Sequence, residues 1–169
     1  MAEGLDPLSE EWLVQSLTEP LAGRDLVPRE CPDLAVLRPG RAFGVLLGGC
    51  LSLVSALIGT SHCPDFTGAI LMLEDVNEPL YRIDRMLLQL KLAGILDSLG
   101  GVILGHFVGP DDGNPAPEVG NMILELTRDH PVPVMGGYPH GHVLPNLTIP
   151  HGVPVEMLTD PPRLSVKIG

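Results

Sequence analysis

The chain has 169 residues, 44% of them hydrophobic but only 4% aromatic, which suits a single domain with a core of Leu, Val and Ile. Ten basic against 21 acidic side chains give a net charge of -11, which repels phosphate backbones and anionic lipid headgroups and argues against nucleic acid or a membrane as partner. No apolar run approaches the roughly 18 to 20 residues that span a bilayer, and the first residues lack a basic stretch leading into an apolar one, so a soluble, cytoplasmic protein is expected.

Residues 1–40 are mixed. Trp12, Leu13, Leu17 and Leu21 allow one or two amphipathic turns, while Pro20, Pro28, Pro32 and Pro39 break the rest into extended pieces, as in a linker laid on a surface. The domain proper is expected over 41–169. Residues 43–47 predict a short buried strand, Gly48-Gly49 a tight turn, 51–58 a short apolar helix and 70–73 a second strand. After Pro79, Ile83, Leu87 and Leu90 recur at helical spacing with Gly94 as a C-terminal stop. Residues 102–104 predict a strand, and Pro117 opens a helix with Val119, Met122, Ile123 and Leu126 on one face. A strand over 132–135, a loop, and two segments at 153–158 and 163–168 that pair as a hairpin complete the chain. Strands separated by crossing helices, with a terminal hairpin, make an α/β domain with a mixed sheet. No internal repeat is present.

The chemistry concentrates in two places. Glu74, Asp75, Glu78, Arg82 and Arg85 follow the 70–73 strand with no spacer, and an acid at the end of a buried strand usually has a task. Downstream, His142 sits in a loop bounded by Gly141 and Pro145, from which an imidazole can reach back to a carboxylate. A carboxylate and an imidazole are two members of a hydrolytic triad, yet no serine or cysteine stands in a glycine-flanked nucleophile turn. Other readings of the same residues stand beside this one. Glu74 can form a structural ion pair with Arg82 or Arg85, and Asp75 is the competing acid, suited to accepting backbone N–H groups. His140 and His142 can be half of a metal site, but a third ligand from His106, His151, Asp111 or Asp112 has no recognised metal spacing. His62, His106, His130 and His151 read as satisfied polar residues, and Asp84 and Arg85 as a buttress for the acid or a subunit contact. Cys31, Cys50 and Cys63 are an odd number without paired spacing and read as small buried residues, not as disulfides or metal ligands. The acidic, glycine-bounded 109–114 stretch lacks the EF-hand pattern and reads as a turn.

Several motifs in order carry a family resemblance. Gly48-Gly49-Cys50-Leu51-Ser52, Gly59-Thr60, Leu73-Glu74-Asp75, Tyr81-Arg82-Ile83-Asp84-Arg85-Met86-Leu87 and the run from Gly141 to Gly152 together resemble the C-terminal domain of the L,D-carboxypeptidases. These are serine peptidases of murein recycling, a family that includes microcin-immunity peptidases. The resemblance covers about 39–168 and implies a mixed-sheet domain of swivelling β/β/α-like type. It implies a Ser-His-Glu triad in which Glu74 and His142 are the catalytic acid and base, with the serine on an N-terminal nucleophile domain that these residues do not include. That domain, on the same or a separate chain, is the expected partner, docking around His142 and at Trp12, Leu13 and Leu17. A murein peptide is the implied substrate, a homodimer the implied assembly, and no cofactor or metal is implied. Cys50 departs from the asparagine of many relatives. Two further readings are a binding or assembly domain with vestigial site residues, and a metal-dependent amidohydrolase using His140 and His142.

Overall fold

The aliphatic run at 70–73 is unbroken because the strand that contains it is buried on both faces. In β3 (Ile70–Val76), Leu71 and Leu73 enter one core while Ile70 and Met72 enter another, all four fully enclosed. The structure is a computed structural model that describes residues 4–110 and 113–168. Its other elements are α1 (Pro7–Thr18), β1 (Ala35–Arg38), β2 (Arg41–Cys50), α2 (Leu51–Leu57), α3 (Leu80–Leu92), β4 (Gly101–Val108), α4 (Ala116–Leu126), β5 (Val134–Gly136), β6 (Pro154–Thr159) and β7 (Pro162–Val166). The strands form one mixed sheet in the order β1-β5-β4-β3-β2-β6-β7. Its centre, β2 to β5, is parallel, with α2, α3 and α4 as the crossovers. The expected α/β domain with a mixed sheet and terminal hairpin is what the chain forms.

The first core lies between the sheet and α2, α3 and α4, and gathers Leu51, Ile83, Leu87, Leu90, Val119 and Ile123 against the strands. The second lies on the opposite face, where β6 and β7 curl over the sheet and α1 closes the end, around Trp12, Leu26, Tyr138, Met157 and Leu164. The curl is tight: a Cβ on Gly101 of β4 would stand 3.1 Å from the Met157 sulfur of β6. Helix α3 ends as its sequence predicts. Gly94, at φ +77°, donates to Lys91 O, and Ile95 N–H reaches Leu90 O at 3.0 Å, the paired closure that satisfies the last carbonyls of the helix.

Several expectations need correction. Gly48 and Gly49 do not turn; they continue β2, which runs for ten residues instead of five. Both have φ near +130°, and a Cβ on Gly48 would lie 1.8 Å from the Met72 carbonyl oxygen. A doublet that resembles a turn in sequence is here a place where two backbones approach too closely for a side chain. The strand is also less buried than expected at its start, Phe43 being 65% exposed, because Ala42 and Leu46 take the inward face. Its first half pairs antiparallel with β6 and its second half parallel with β3, ending with Cys50 opposite Glu74.

Residues ahead of 41 are more than a linker. Trp12 and Leu26 are buried, β1 pairs antiparallel with β5, and the Tyr138 hydroxyl donates to Leu26 O. The prolines that stop helices here permit short extended pieces, and these can add to a sheet edge. Cys31, Cys50 and Cys63 are half-buried free thiols, so they are not fully enclosed.

Two predictions follow from strand packing. Gly49 shares the φ of Gly48 but has open space around its Cβ position, so Gly49→Ala carries strain alone, about 1–2 kcal/mol, whereas Gly48→Ala adds a backbone clash and should cost roughly 3 kcal/mol or more. Urea unfolding of the two variants measures the difference, and equal losses would contradict the packing argument. On the outer face of β6, Glu156 accepts from Lys167 at 2.7 Å and from Arg41, and these partners, Lys167 foremost, hold its carboxyl below the ordinary 4.5. A carboxyl whose folded pKa is depressed stabilises the fold above its unfolded value and loses that contribution as pH falls below 4.5 through the lowered value. Glu156→Gln should therefore be less stable than the parent at neutral pH, and the two unfolding midpoints should converge as the pH is lowered through that range.

Candidate active site

The C-terminal ends of β2, β3 and β4 bring the polar residues together. Glu74 lies near the end of β3, flanked by Cys50 in β2. On its other side the pairing with β4 slips: Leu73 faces Leu104, but Asp75 faces Phe107, so Gly105 and His106 together oppose Glu74. Two residues against one is a bulge, which bends the strand end and re-aims its side chains. Beyond β5 the chain turns along this bent edge. Tyr138 N–H donates to Leu104 O at 3.0 Å and His106 N–H to His140 O at 2.9 Å, so the irregular segment 138–140 continues the ladder without being a regular strand. Gly105 permits the approach, since a Cβ there would stand 2.5 Å from His140 O.

The next residue delivers the imidazole. Gly141 has φ +129°, and a Cβ on it would lie 3.1 Å from Glu74 Oε2. His142 Nδ1 is then 3.0 Å from Glu74 Oε2. The carboxylate is nearly enclosed and the imidazole is not, their side chains being 7% and 57% exposed. An ionised carboxylate only accepts, so the bond needs the proton on Nδ1, and a neutral ring then carries its free lone pair on Nε2. That nitrogen has no hydrogen-bond partner among the described residues. His142 and Glu74 line an open cleft of about 810 Å³ with His140, Leu144, Leu5 and Leu13. An imidazole oriented by a buried acid, with its other nitrogen free at a cleft, is equipped to take a proton from a hydroxyl and to give it back.

Asp75, the neighbouring acid, points the other way and is 3% exposed. Its Oδ2 accepts from Ser52 N–H at 2.8 Å and its Oδ1 from Val76 N–H at 2.9 Å, with the Cys50 thiol 3.4 Å away. It binds the start of α2 to the end of β3, the backbone-accepting role open to it in the sequence. Ser52 Oγ lies 3.0 Å from Cys50 Sγ, and buried Ser55 donates to Gln89. The ion-pair reading of Glu74 does not fit: Arg82 pairs with Glu78 at 3.1 Å and Arg85 lies over the Tyr81 ring. Asp84 and Arg85 are exposed on α3 and make no hydrogen bond or ion pair with Glu74, so the expected buttress is not formed.

His140 lines the cleft, its Nδ1 3.4 Å from Leu147 O. His151 is held below the usual histidine value by burial and by neighbouring His140. His130 bonds Leu99 O. Among the described residues no three His, Cys, Asp or Glu side chains are grouped to hold a metal ion; Asp111 and Asp112 lie outside them. The turn expected over 109–114 therefore falls partly outside the described residues; on either side, Gly109 N–H donates to Gly113 O at 2.7 Å. No described helix is long and apolar enough to cross a membrane.

Sequence reasoning missed one participant. Helix α1, through Ser9 and Leu13, and Leu5 just ahead of its N-cap form a wall of the cleft. Ser9 is buried, and its Oγ accepts the Asn146 N–H at 2.9 Å across 137 residues of sequence. Trp12, expected at a docking face, is instead 7% exposed beneath Arg24, while Leu17 stays 77% exposed.

A relative from Streptomyces coelicolor is 39% identical over 98% of this chain and 53% of its own length. The murein tetrapeptide carboxypeptidase of Pseudomonas aeruginosa is 35% identical over 88% of this chain and 50% of its own. The chain thus spans about half the length of these curated relatives. In fold, the crystal structure of an MccF-like protein from Bacillus anthracis superposes with a TM-score of 0.84 at 20% identity, covering all of this chain and 58% of the other. The family model described as the LD-carboxypeptidase C-terminal domain matches residues 43–157, a span that includes Cys50, Glu74, Asp75 and His142, and the chain belongs to that family.

Proposed function

We propose that this chain supplies the acid and base of a serine carboxypeptidase that releases terminal D-alanine from murein tetrapeptides. The observation that carries the reading is the 3.0 Å contact between buried Glu74 and half-exposed His142 at an open cleft. In this reading a serine on an N-terminal nucleophile domain, of the same or another polypeptide, faces His142 across the cleft. Nε2 takes the serine proton as the oxygen attacks the scissile carbonyl, and returns it to the departing amino group of D-alanine. A second cycle through water then frees the acyl-enzyme. Glu74 keeps the proton on Nδ1 and stabilises the imidazolium that forms. Murein recycling in the cytoplasm and a homodimeric enzyme accord with this reading. A microcin-immunity peptidase would use the same pair on a different substrate.

The test is D-alanine release from murein tetrapeptide by this chain, by the N-terminal domain of a relative, and by the two together. Release is expected only from the mixture, in proportion to complex formed and unchanged by a chelator, because neither half holds both nucleophile and base. Release by this chain alone would move the nucleophile to Ser52, Ser55 or Cys50, and chelator sensitivity would favour the metal-dependent alternative. In the active assembly Glu74→Gln should lower kcat by on the order of 10³-fold or more with little change in KM, as loss of the charge leaves the imidazole without its orienting partner. An unchanged rate would remove Glu74 from the mechanism.

A further inference from the structure

The loop that carries His142 has little regular structure to hold it. Residues 141–146 belong to no helix or strand, and Leu144 is 61% exposed. Two of its backbone donors nevertheless have partners, and both lead to α1. Gly141 N–H donates to Asn146 Oδ1 at 3.2 Å, Asn146 N–H donates to Ser9 Oγ at 2.9 Å, and the Ser9 hydroxyl donates to the Asp6 carboxylate. Asp6 is the N-cap of α1, accepting Leu8 N–H at 3.1 Å and Ser9 N–H at 3.2 Å. Two turns further along α1, the Ser16 hydroxyl reaches Thr148 O.

The chemistry of the chain of bonds is consistent in direction. A serine hydroxyl has one proton and two lone pairs. Spending its proton on Asp6 leaves Ser9 Oγ only its accepting role, which is what the Asn146 N–H requires. Asp6 is held in its ionised form, its carboxyl lowered chiefly by the Ser9 hydroxyl, so the direction is maintained at neutral pH. Ser9 is 1% exposed, so water does not readily take its place. Each bond fixes the next, and the last fixes Gly141, whose backbone sets the distance between His142 and Glu74.

We propose that Asp6, Ser9 and Asn146 are positioning residues that hold the His142 loop from α1, so that the orientation of the imidazole depends on how α1 is seated. This rests on the proposed role of His142. A displacement of α1 would transmit to Gly141 through two hydrogen bonds, Ser9 to Asn146 and Asn146 to Gly141, without disturbing the sheet, since Asp75 and the strand pairings that hold Glu74 lie elsewhere.

The test uses this chain alone and does not use the peptidase assay, so its failure is distinct from failure of the carboxypeptidase reading. NMR of the histidine ring follows the Nδ1–H of His142, and amide exchange follows Gly141 and Asn146, in the parent, Ser9→Ala, Asn146→Ala and Asn146→Asp. Both alanine variants should lose protection of the Gly141 amide by about tenfold, and the His142 Nδ1–H signal should broaden or vanish into solvent exchange. The unfolding midpoint of Asn146→Ala should stay near that of the parent, because Asn146 is exposed. Asn146→Asp keeps an acceptor for Gly141 and should retain the parent signal. A His142 signal unchanged in the folded alanine variants would overturn the proposal. If buried Ser9→Ala does not fold, Asn146→Ala against Asn146→Asp decides it alone.

Discussion

Enclosing an ionised carboxylate is among the costlier things a fold can do, with an effective penalty of several kcal/mol unless donors meet it. Glu74 is 5% exposed, and among the described residues its side-chain partner is the imidazole of His142. Much of the local architecture serves that contact. The slip between β3 and β4 bends the strand end, Gly105 and Gly141 remove the side chains that would stand between the two segments, and the 138–140 stretch runs along β4 to bring the loop over the acid. None of these features is needed to bury aliphatic surface, and together they place one nitrogen.

The position of the pair also follows from the sheet. Parallel strands leave their C-terminal ends on one side, where the crossovers begin, and open α/β sheets bind ligands beyond those ends. Cys50 ends β2 on that side, and Glu74 and His106 each lie two residues from the ends of β3 and β4. Adjacent residues of an extended strand point in opposite directions, which is how Glu74 and Asp75 divide their work. One meets the imidazole; the other holds the start of α2 against the sheet.

How far the sequence revealed this varies with the range of the interaction. The aliphatic run of β3, the 3.6-residue rhythm of α3 and its Gly94 stop, and the closing hairpin depend on neighbours close in sequence, and all were legible. Glu74 and His142 were legible as a pair because a strand-end acid and a glycine-bounded histidine loop are each unusual, although choosing Glu74 over Asp75 leaned on the ordered family motifs. Gly48-Gly49 was misread because its cause, the Met72 carbonyl of the adjoining strand, is absent from any local window. The four residues of β1 and the burial of Leu26 depend on partners a hundred residues away. Nothing in the sequence near Ser9 announces Asn146.

The segment between α1 and β1 does something further at the opposite margin of the sheet. Gly23 and Leu26 donate to Val166 O and Leu164 O, Val166 N–H donates to Arg24 O, and Asp25 bridges Ser165, so an early stretch of the chain lies along its last strand. β7 therefore does not offer a bare row of backbone donors and acceptors, while at the far side β1 is only four residues long and is followed by Pro39. A long, flat, unpaired edge is the usual template for strand-to-strand aggregation. With one margin covered by its own chain and the other kept short, the domain offers a second molecule little to polymerise on.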